Sequence, residues 1–119
     1  MPMVEKVPVY DNHIHMSPSG MNVDAIDMIP EALELARIGI LPAGMYRNRK
    51  FAETGVDAGD TELARQDLLY DPQTAGGLLM AVTPHDADAL FEELKTTVPS
   101  AQRIGTVAEY QGGKRIRLR

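Results

Sequence analysis

The chain has 119 residues, 44% of them hydrophobic and 24% charged, which is the composition of one globular domain and too short for a two-domain enzyme. Its net charge of −5 argues against a general nucleic-acid binder, because neutralising phosphates requires clustered Lys and Arg. The absence of cysteine excludes disulfides, thiolate metal sites and a cysteine nucleophile. No apolar run approaches the about 18 residues of a membrane span, so we expect a cytoplasmic protein.

The first third of the chain predicts a short strand, a loop and a helix. Val7–Tyr10 has the residues of a strand, which Pro8 restricts to an edge or a strand start. Residues 11–22 predict a loop. A helix is predicted across Ile29–Ile38, because a proline suits its first turn and Gly39 follows its end.

The middle of the chain predicts a long loop followed by a second helix. Leu41–Gly59 carries one proline and three glycines and is expected to be irregular; its segment Tyr46–Lys50 is locally cationic. The next helix is predicted across Thr61–Leu69, with Asp60 as its N-cap.

The last third predicts a strand, a helix and two more strands. Leu78–Val82 is apolar throughout, as in a buried strand, and Thr83 then opens a helix with a clear apolar side. Arg103–Tyr110 is predicted to form a hairpin with Lys114–Leu118, the latter as an edge strand with a charged face. The expected fold class is α+β, a two-layer sandwich of a mixed or antiparallel sheet packed with helices.

A His-x-His pattern lies near the N-terminus. Residues 10–15, with His13 and His15, look like the first metal-binding strand of amidohydrolase-type TIM barrels, since alternate residues share one side of a strand. Such an enzyme needs about 200 residues of barrel, so an intact hydrolase is not expected. An adventitious metal site and a plain polar loop both remain open.

Three motifs in fixed order point to a family. They are IPEALELA followed by GILPAG (29–44), YRNR (46–49) and LYDPQTAGGLL (69–79), and IGTV (104–107) fits a later strand. This pattern resembles the C-terminal domain of selenophosphate synthetase, also called selenide, water dikinase, in the aminoimidazole ribonucleotide synthetase superfamily. The resemblance covers about four-fifths of the chain, and the order and spacing make it specific.

The resemblance implies an activity that this chain is not expected to perform alone. Enzymes of the family use ATP, magnesium and selenide to make selenophosphate, and their C-terminal domain packs against an N-terminal ATP-binding domain. The reactive Cys or selenocysteine, its partner Lys and the magnesium-binding Asp residues belong to that N-terminal domain. We therefore expect a catalytically silent domain that binds neither ATP nor magnesium unaided and whose partner is the ATP-binding domain.

The loop after the second helix is the predicted phosphate-adjacent site. By resemblance it approaches the shared cleft, and its glycine N–H groups would bind an anion; a simple turn into the next strand is the alternative. Ala75 replaces the family's usual Ser, which removes one hydroxyl. The candidate residues are Asp71, Gln73, Thr74, Gly76 and Gly77 in the loop, and Arg47, Asn48 and Arg49 in the cationic segment.

Residues 1–24 are predicted to be an extension or junction, and residues 25–119 a partial selenophosphate-synthetase-like C-terminal domain. Two other functions remain open: a non-catalytic docking module for a separate ATP-binding partner, and a metal-binding hydrolase remnant. Apolar surface near Leu78–Met80 or Leu35–Ile40 is expected to be exposed. A patch of that kind favours self-association, most simply as a two-fold dimer.

Overall fold

The computed structural model describes residues 20–119. The predicted strand Val7–Tyr10 and the His13–His15 pattern lie outside these residues. The described part contains helices α1 (Pro30–Arg37), α2 (Ala43–Ala52), α3 (Leu63–Leu69) and α4 (Pro84–Thr97), strands β1 (Val56–Asp57) and β2 (Ile116–Arg117), and 3-10 turns at Val23–Ala25 and Glu53–Gly55.

Helix α1 confirms the first predicted helix. It begins at Pro30, whose missing N–H would have no partner in a first turn. It ends in a Schellman motif, in which the Ile40 N–H donates to the Leu35 carbonyl (2.9 Å) and the Gly39 N–H donates to the Ala36 carbonyl (3.0 Å). Gly39 has φ +83°, the left-handed conformation that this motif requires and that glycine adopts without strain.

Helix α2 lies in the segment that the sequence predicted to be irregular, so that prediction was wrong. Of the four helix-breaking residues, two stand at the start of the helix and two come after its end. Pro42 precedes its first turn, where a missing N–H costs nothing. Gly44 lies within that turn, and its lack of a side chain leaves room for Pro72, because a Cβ at Gly44 would come 2.8 Å from the Pro72 Cγ. Met45, which is fully buried, attaches the helix to the core.

Helices α1 and α2 both pack on α3. Ala36 of α1, Met45 of α2 and Ala64 of α3 are buried where the helices meet, and small residues allow the close approach. Helix α3 begins at Leu63, two residues later than predicted, and its N-cap is Glu62. The prediction of Asp60 as the N-cap was therefore wrong.

The sheet of the described residues is small and parallel. Val56 lies opposite Ile116, and Asp57 opposite Arg117. On the other side of β2, the Met21 N–H donates to the Arg117 carbonyl (2.8 Å) and the Arg119 N–H donates to the Met21 carbonyl (2.9 Å). Strand β2 therefore has backbone partners on both sides, and its prediction as the edge strand of a hairpin was wrong.

Gly20 allows the segment around Met21 to approach β2. It has φ +51°, and a Cβ there would clash with the Arg117 carbonyl. The Asn22 N–H donates to the Ile104 carbonyl (2.6 Å), and Thr106 donates its N–H to Gly20 (3.1 Å). These bonds connect residues 20–22 to the C-terminal region. The division into residues 1–24 and 25–119 stays a prediction.

Two other predicted strands do not form. Arg103–Tyr110 is reduced to a single antiparallel bridge between Gly105 and Met21. Leu78–Val82 has no strand structure, and Leu78 is 76% exposed. An apolar run becomes a buried strand only where neighbouring strands and covering layers surround it, and residues 20–119 supply neither. The content is α+β, as predicted, but the sheet of the described residues is parallel instead of mixed or antiparallel, and the two-layer sandwich is not confirmed.

Helix α4 confirms the predicted helix after Thr83. The Thr83 hydroxyl accepts a hydrogen bond from the Asp86 N–H (3.3 Å) and donates to the Asp86 carboxylate (2.8 Å), which together form a local N-terminal cap. The apolar side of α4 is only half-buried, and no residue of this helix is fully buried. Within the described residues, no helix is long and apolar enough to cross a membrane.

Candidate functional site

The structure brings helix α2 and the loop after α3 together, as the predicted site requires. The Asn48 side-chain amide donates to the Tyr70 carbonyl (2.9 Å), which holds the start of the loop against α2. Pro72 of the loop packs on Gly44, which lies about one helical turn before Asn48 in α2. Asn48 and Asp71 therefore lie on the same side of the molecule, and they line a shallow concavity of about 310 Å³.

The rest of the predicted loop is open to solvent. Gln73, Thr74, Gly76 and Gly77 are all exposed. Neither glycine has a positive φ, so the loop does not have the alternating backbone geometry of an anion-binding nest. Gly76 instead leaves room for its neighbour, because a Cβ there would clash with the Gln73 side-chain oxygen. In this conformation the loop presents exposed side chains and backbone N–H groups without a preformed pocket.

The two arginines of the cationic segment are separated by the helix. Arg47 is exposed and lies on the side of Gly44, near the loop. Arg49 points to α3, where it forms an ion pair with the carboxylate of Asp67. Asp67 is only 5% exposed, and burying an unpaired carboxylate would be costly. Arg47 and Asn48 are thus placed beside the loop, whereas Arg49 is used in a partly buried structural contact.

Asp67 and Tyr70 are two residues of this region that the sequence analysis missed. Burial is the main cause that raises the pKa of Tyr70 above its ordinary value of 10.0, and Glu53 adds to the rise. A signal for Asp67 was present in the sequence. It stands three residues after Ala64, and residues three apart share one face of a helix, here the buried one.

A second concavity, of about 480 Å³, lies between β2 and the start of α3. Arg117 and Asp57, which form an ion pair (3.1 Å), are among the residues that line it, and Asp24, Asp60 and Arg65 contribute further charges of both signs. Among residues 20–119, no group of three or more His, Cys, Asp or Glu side chains could hold a metal ion. The predicted ligands His13 and His15 lie outside that range.

An ion-pair network covers the contact between α1 and α3. Arg37 donates to both carboxylate oxygens of Glu62 (2.7 and 3.1 Å) and to Glu34 (2.6 Å). The hydrogen bond from Arg37 holds the pKa of Glu62 below its ordinary value of 4.5. Because these groups are exposed, the network orients the two helices more than it stabilises them.

Comparison with known proteins finds relatives that match most of the chain. No family model matches it. Over 97 residues it is 45% identical to the selenide, water dikinase of Pelobacter propionicus, a match that covers 78% of this chain and 28% of the relative. The selenide, water dikinase of Clostridioides difficile is 43% identical over 84 residues, which covers 69% of this chain and 24% of the relative. The one from Treponema denticola is 42% identical over 80 residues.

The chain carries a selenophosphate-synthetase-related domain. The predicted resemblance to that family is thereby confirmed. The chain spans about a quarter of the length of the curated relatives it matches, at 28%, 23% and 24% of the first three. The matched relatives give no support to the amidohydrolase likeness of residues 10–15.

Proposed function

We propose that this selenophosphate-synthetase-related domain is the C-terminal domain of a selenide, water dikinase, which converts ATP, selenide and water to selenophosphate, AMP and phosphate. One observation carries the proposal: 45% identity extends over 97 residues to a selenide, water dikinase of which those residues make up 28%. A match of this length includes α1 to α4, so it concerns a folded domain and not one short motif.

The proposed role of this domain is to complete a site whose reactive groups belong to another domain. Phosphoryl transfer depends on metal ions and cations that surround the phosphates, and the proposal assigns ATP and magnesium to an N-terminal domain. On its own the chain is expected to be inactive. Its contribution is the exposed loop with Asp71, Gln73, Thr74, Gly76 and Gly77.

The geometry around α2 supports this loop as the part of the domain that meets the phosphates. Arg47 is exposed beside the loop and is available to an anion, and Asn48 holds the loop against α2 through Tyr70. Because the loop has no preformed pocket, we propose that it orders only when the other domain and its nucleotide are present. Arg49 has a structural role in this scheme, since it pairs with Asp67.

A domain exchange tests the proposal. The matched segment of the Pelobacter propionicus enzyme is replaced by the corresponding residues of this chain. Selenide-dependent AMP release and selenophosphate are then measured, the latter by phosphorus NMR. We expect the chimaera to keep activity within roughly tenfold of the parent, and the isolated chain to have none. A control chimaera that carries the Clostridioides difficile segment shows what exchange alone costs.

Loop variants separate a functional loop from a structural turn. In the active chimaera, Thr74→Val and Arg47→Met are expected to lower kcat/KM by about tenfold or more, because each removes a group proposed to face the phosphates. Arg103→Met, an exposed arginine far along the chain, is the matched control. If the control chimaera is active and the chimaera with this chain is folded but inactive, the proposal is wrong.

A docking module without a catalytic role is the second candidate, favoured by exposed apolar side chains such as Leu78 and Ile38. In this case the chain would bind a separately expressed ATP-binding domain. Adding the chain would not change that domain's selenide-dependent turnover. Sedimentation and the AMP assay on the same mixture distinguish the two candidates. A hydrolase remnant around His13 and His15 is not proposed, since none of these observations supports it.

A further inference from the structure

Helix α2 is attached to the core by two residues four positions apart. Met45 is fully buried, and Arg49 pairs with the carboxylate of Asp67 on α3. Residues four apart lie on the same face of a helix, so these two contacts fix both the position of α2 and its rotation about its own axis. A segment that binds the neighbouring face of α2 is therefore held in a defined place relative to α3.

The neighbouring face of α2 holds the start of the loop through a second pair of residues four positions apart. Gly44 leaves room for Pro72, since a Cβ at Gly44 would come 2.8 Å from the Pro72 Cγ. One turn later, the Asn48 side-chain amide donates to the Tyr70 carbonyl (2.9 Å). Two contacts on adjacent turns fix a direction as well as a point, so they set the course of the chain where it leaves α3.

The backbone hydrogen bonds of the loop end at Gln73. The Asp71 N–H donates to the Leu68 carbonyl (3.2 Å), and the Gln73 N–H donates to the Asp71 carbonyl (2.9 Å). Across the part of the chain that the structure describes, the backbone of residues 74–82 makes no hydrogen bond. A segment without such bonds changes conformation at little cost in free energy. The boundary between fixed and movable backbone thus falls between Gln73 and Thr74.

We infer that Gly44 and Asn48 are positioning residues for the proposed reaction. They hold Tyr70–Gln73 against α2, so that Thr74–Gly77 closes on the phosphates from one fixed point. Neither residue needs to touch the substrate, because each acts through the loop. The catalytic consequence rests on the proposed function, whereas the boundary at Gln73 is a property of this chain alone.

The size of the effect follows from the length of chain that must be ordered. With both anchors in place, only residues beyond Gln73 acquire a single conformation on closing. Without them Tyr70–Gln73 must be ordered as well, and every residue ordered has an entropic cost. A displacement of about 1 Å can by itself lower a rate about 100-fold. Loss of one anchor is therefore expected to lower kcat by about tenfold or more, while the KM for ATP, whose binding is assigned to the other domain, changes less than about twofold.

Nitrogen-15 relaxation of the isolated chain tests the boundary without any activity. Backbone order parameters near about 0.85 are expected up to Gln73, and values below about 0.6 across Thr74–Gly77. Asn48→Leu, a nearly isosteric change at an exposed position, is expected to extend the low values back toward α3. Gln66→Met is the matched control, because the Gln66 side-chain amide also donates to a backbone carbonyl, that of Thr61 (2.7 Å). Rigid values through the whole loop, or an unchanged profile in Asn48→Leu, overturn the inference.

Steady-state kinetics of the active chimaera test the positioning role. Asn48→Leu is expected to lower kcat by about tenfold with the KM for ATP unchanged, and Gln66→Met to leave both constants unchanged. Gly44→Ala is expected to lower kcat although alanine favours a helix, because its Cβ displaces Pro72. Adding Pro72→Ala removes the clashing Cγ and should restore part of the lost kcat. Gly55→Ala, which has open space around it, is the control for the added methyl group.

The outcomes separate this inference from the proposed function. If the chimaera is active and both Asn48→Leu and Gly44→Ala keep the full kcat, the positioning role is wrong and the proposed function stands. A raised KM with kcat unchanged also overturns it, because that indicates direct contact with the nucleotide. If only the control chimaera is active, the proposed function fails and the positioning role fails with it. The relaxation profile then still decides where the loop turns.

Discussion

Replacement of Asp67 by Asn is expected to lower the free energy of unfolding by about 3 kcal/mol, because it leaves a partly buried arginine without its counter-charge. The Asp67 carboxylate is 6% exposed and the Arg49 side chain 23%, so water screens this ion pair weakly. Removing one member of a buried pair typically costs about 3–5 kcal/mol, and the partial exposure of Arg49 places the estimate at the lower end.

The matched control is an ion pair of the same chemistry at the surface. Arg103 and Asp88 are joined at 2.5 Å, but their side chains are 52% and 85% exposed. Asp88→Asn is therefore expected to cost no more than about 1 kcal/mol. The two substitutions change the same atoms, so the difference between them measures the effect of burial.

Urea denaturation followed by far-UV circular dichroism measures both variants, since the chain has no tryptophan for fluorescence. With a slope near 1.5 kcal/mol per molar urea, 3 kcal/mol corresponds to a midpoint about 2 M lower. The double variant Arg49→Met, Asp67→Leu should recover most of the loss, because two apolar side chains leave no charge buried. Equal losses for Asp67→Asn and Asp88→Asn would refute the reasoning, because they would mean that the burial of the Arg49–Asp67 pair does not matter for stability.

Three further substitutions test local features of the fold. Thr83→Ala should destabilise the chain by about 1 kcal/mol, because it removes the N-cap of α4, whereas Thr83→Ser should have little effect in the same urea assay. Gly39→Ala should lower the free energy of unfolding by about 1 kcal/mol, because the φ of Gly39 is +83°. Gly55 has equally open space around it but no positive φ, so Gly55→Ala should be near neutral. Equal losses for the two variants would contradict the Schellman assignment. Because Arg37 lowers the pKa of Glu62, this pair stabilises the fold above about pH 4.5 and the contribution is lost as the pH falls through the lowered pKa. Glu62→Gln should therefore lose less stability than the parent chain between about pH 5 and pH 3, and parallel pH profiles would contradict this.

The local sequence predicted helices well wherever their end signals were unambiguous. Helix α1 has its proline at the start and a glycine just after the end, and α4 has Thr83 as its cap, so both were predicted nearly at their boundaries. Helix α2 was missed because Pro42 and Gly44 stand at its beginning. Proline and glycine usually interrupt a helix. The contact that accounts for Gly44 comes from Pro72, 28 positions later, which packs against that turn.

For the candidate site, the sequence proposed the loop and three residues of α2, but it did not distinguish the environments of those three residues. It grouped Arg47, Asn48 and Arg49 because they are consecutive. Consecutive helical residues point in directions about 100° apart, so the three cannot face one site. Only the packing of α2 on α3 distinguishes the exposed Arg47 from Arg49, which pairs with Asp67.

The sequence by itself determined the family, the α+β content, the positions of α1 and α4 and the turn residue Gly39, because these depend on motif order and on interactions within a few residues. The tertiary structure alone decided the parallel pairing of β1 with β2, the place of Met21 beside that strand and the open state of Leu78–Val82. The reason is physical: a strand acquires its partner from residues far along the chain, and periodicity within the strand contains no information about which partner that is.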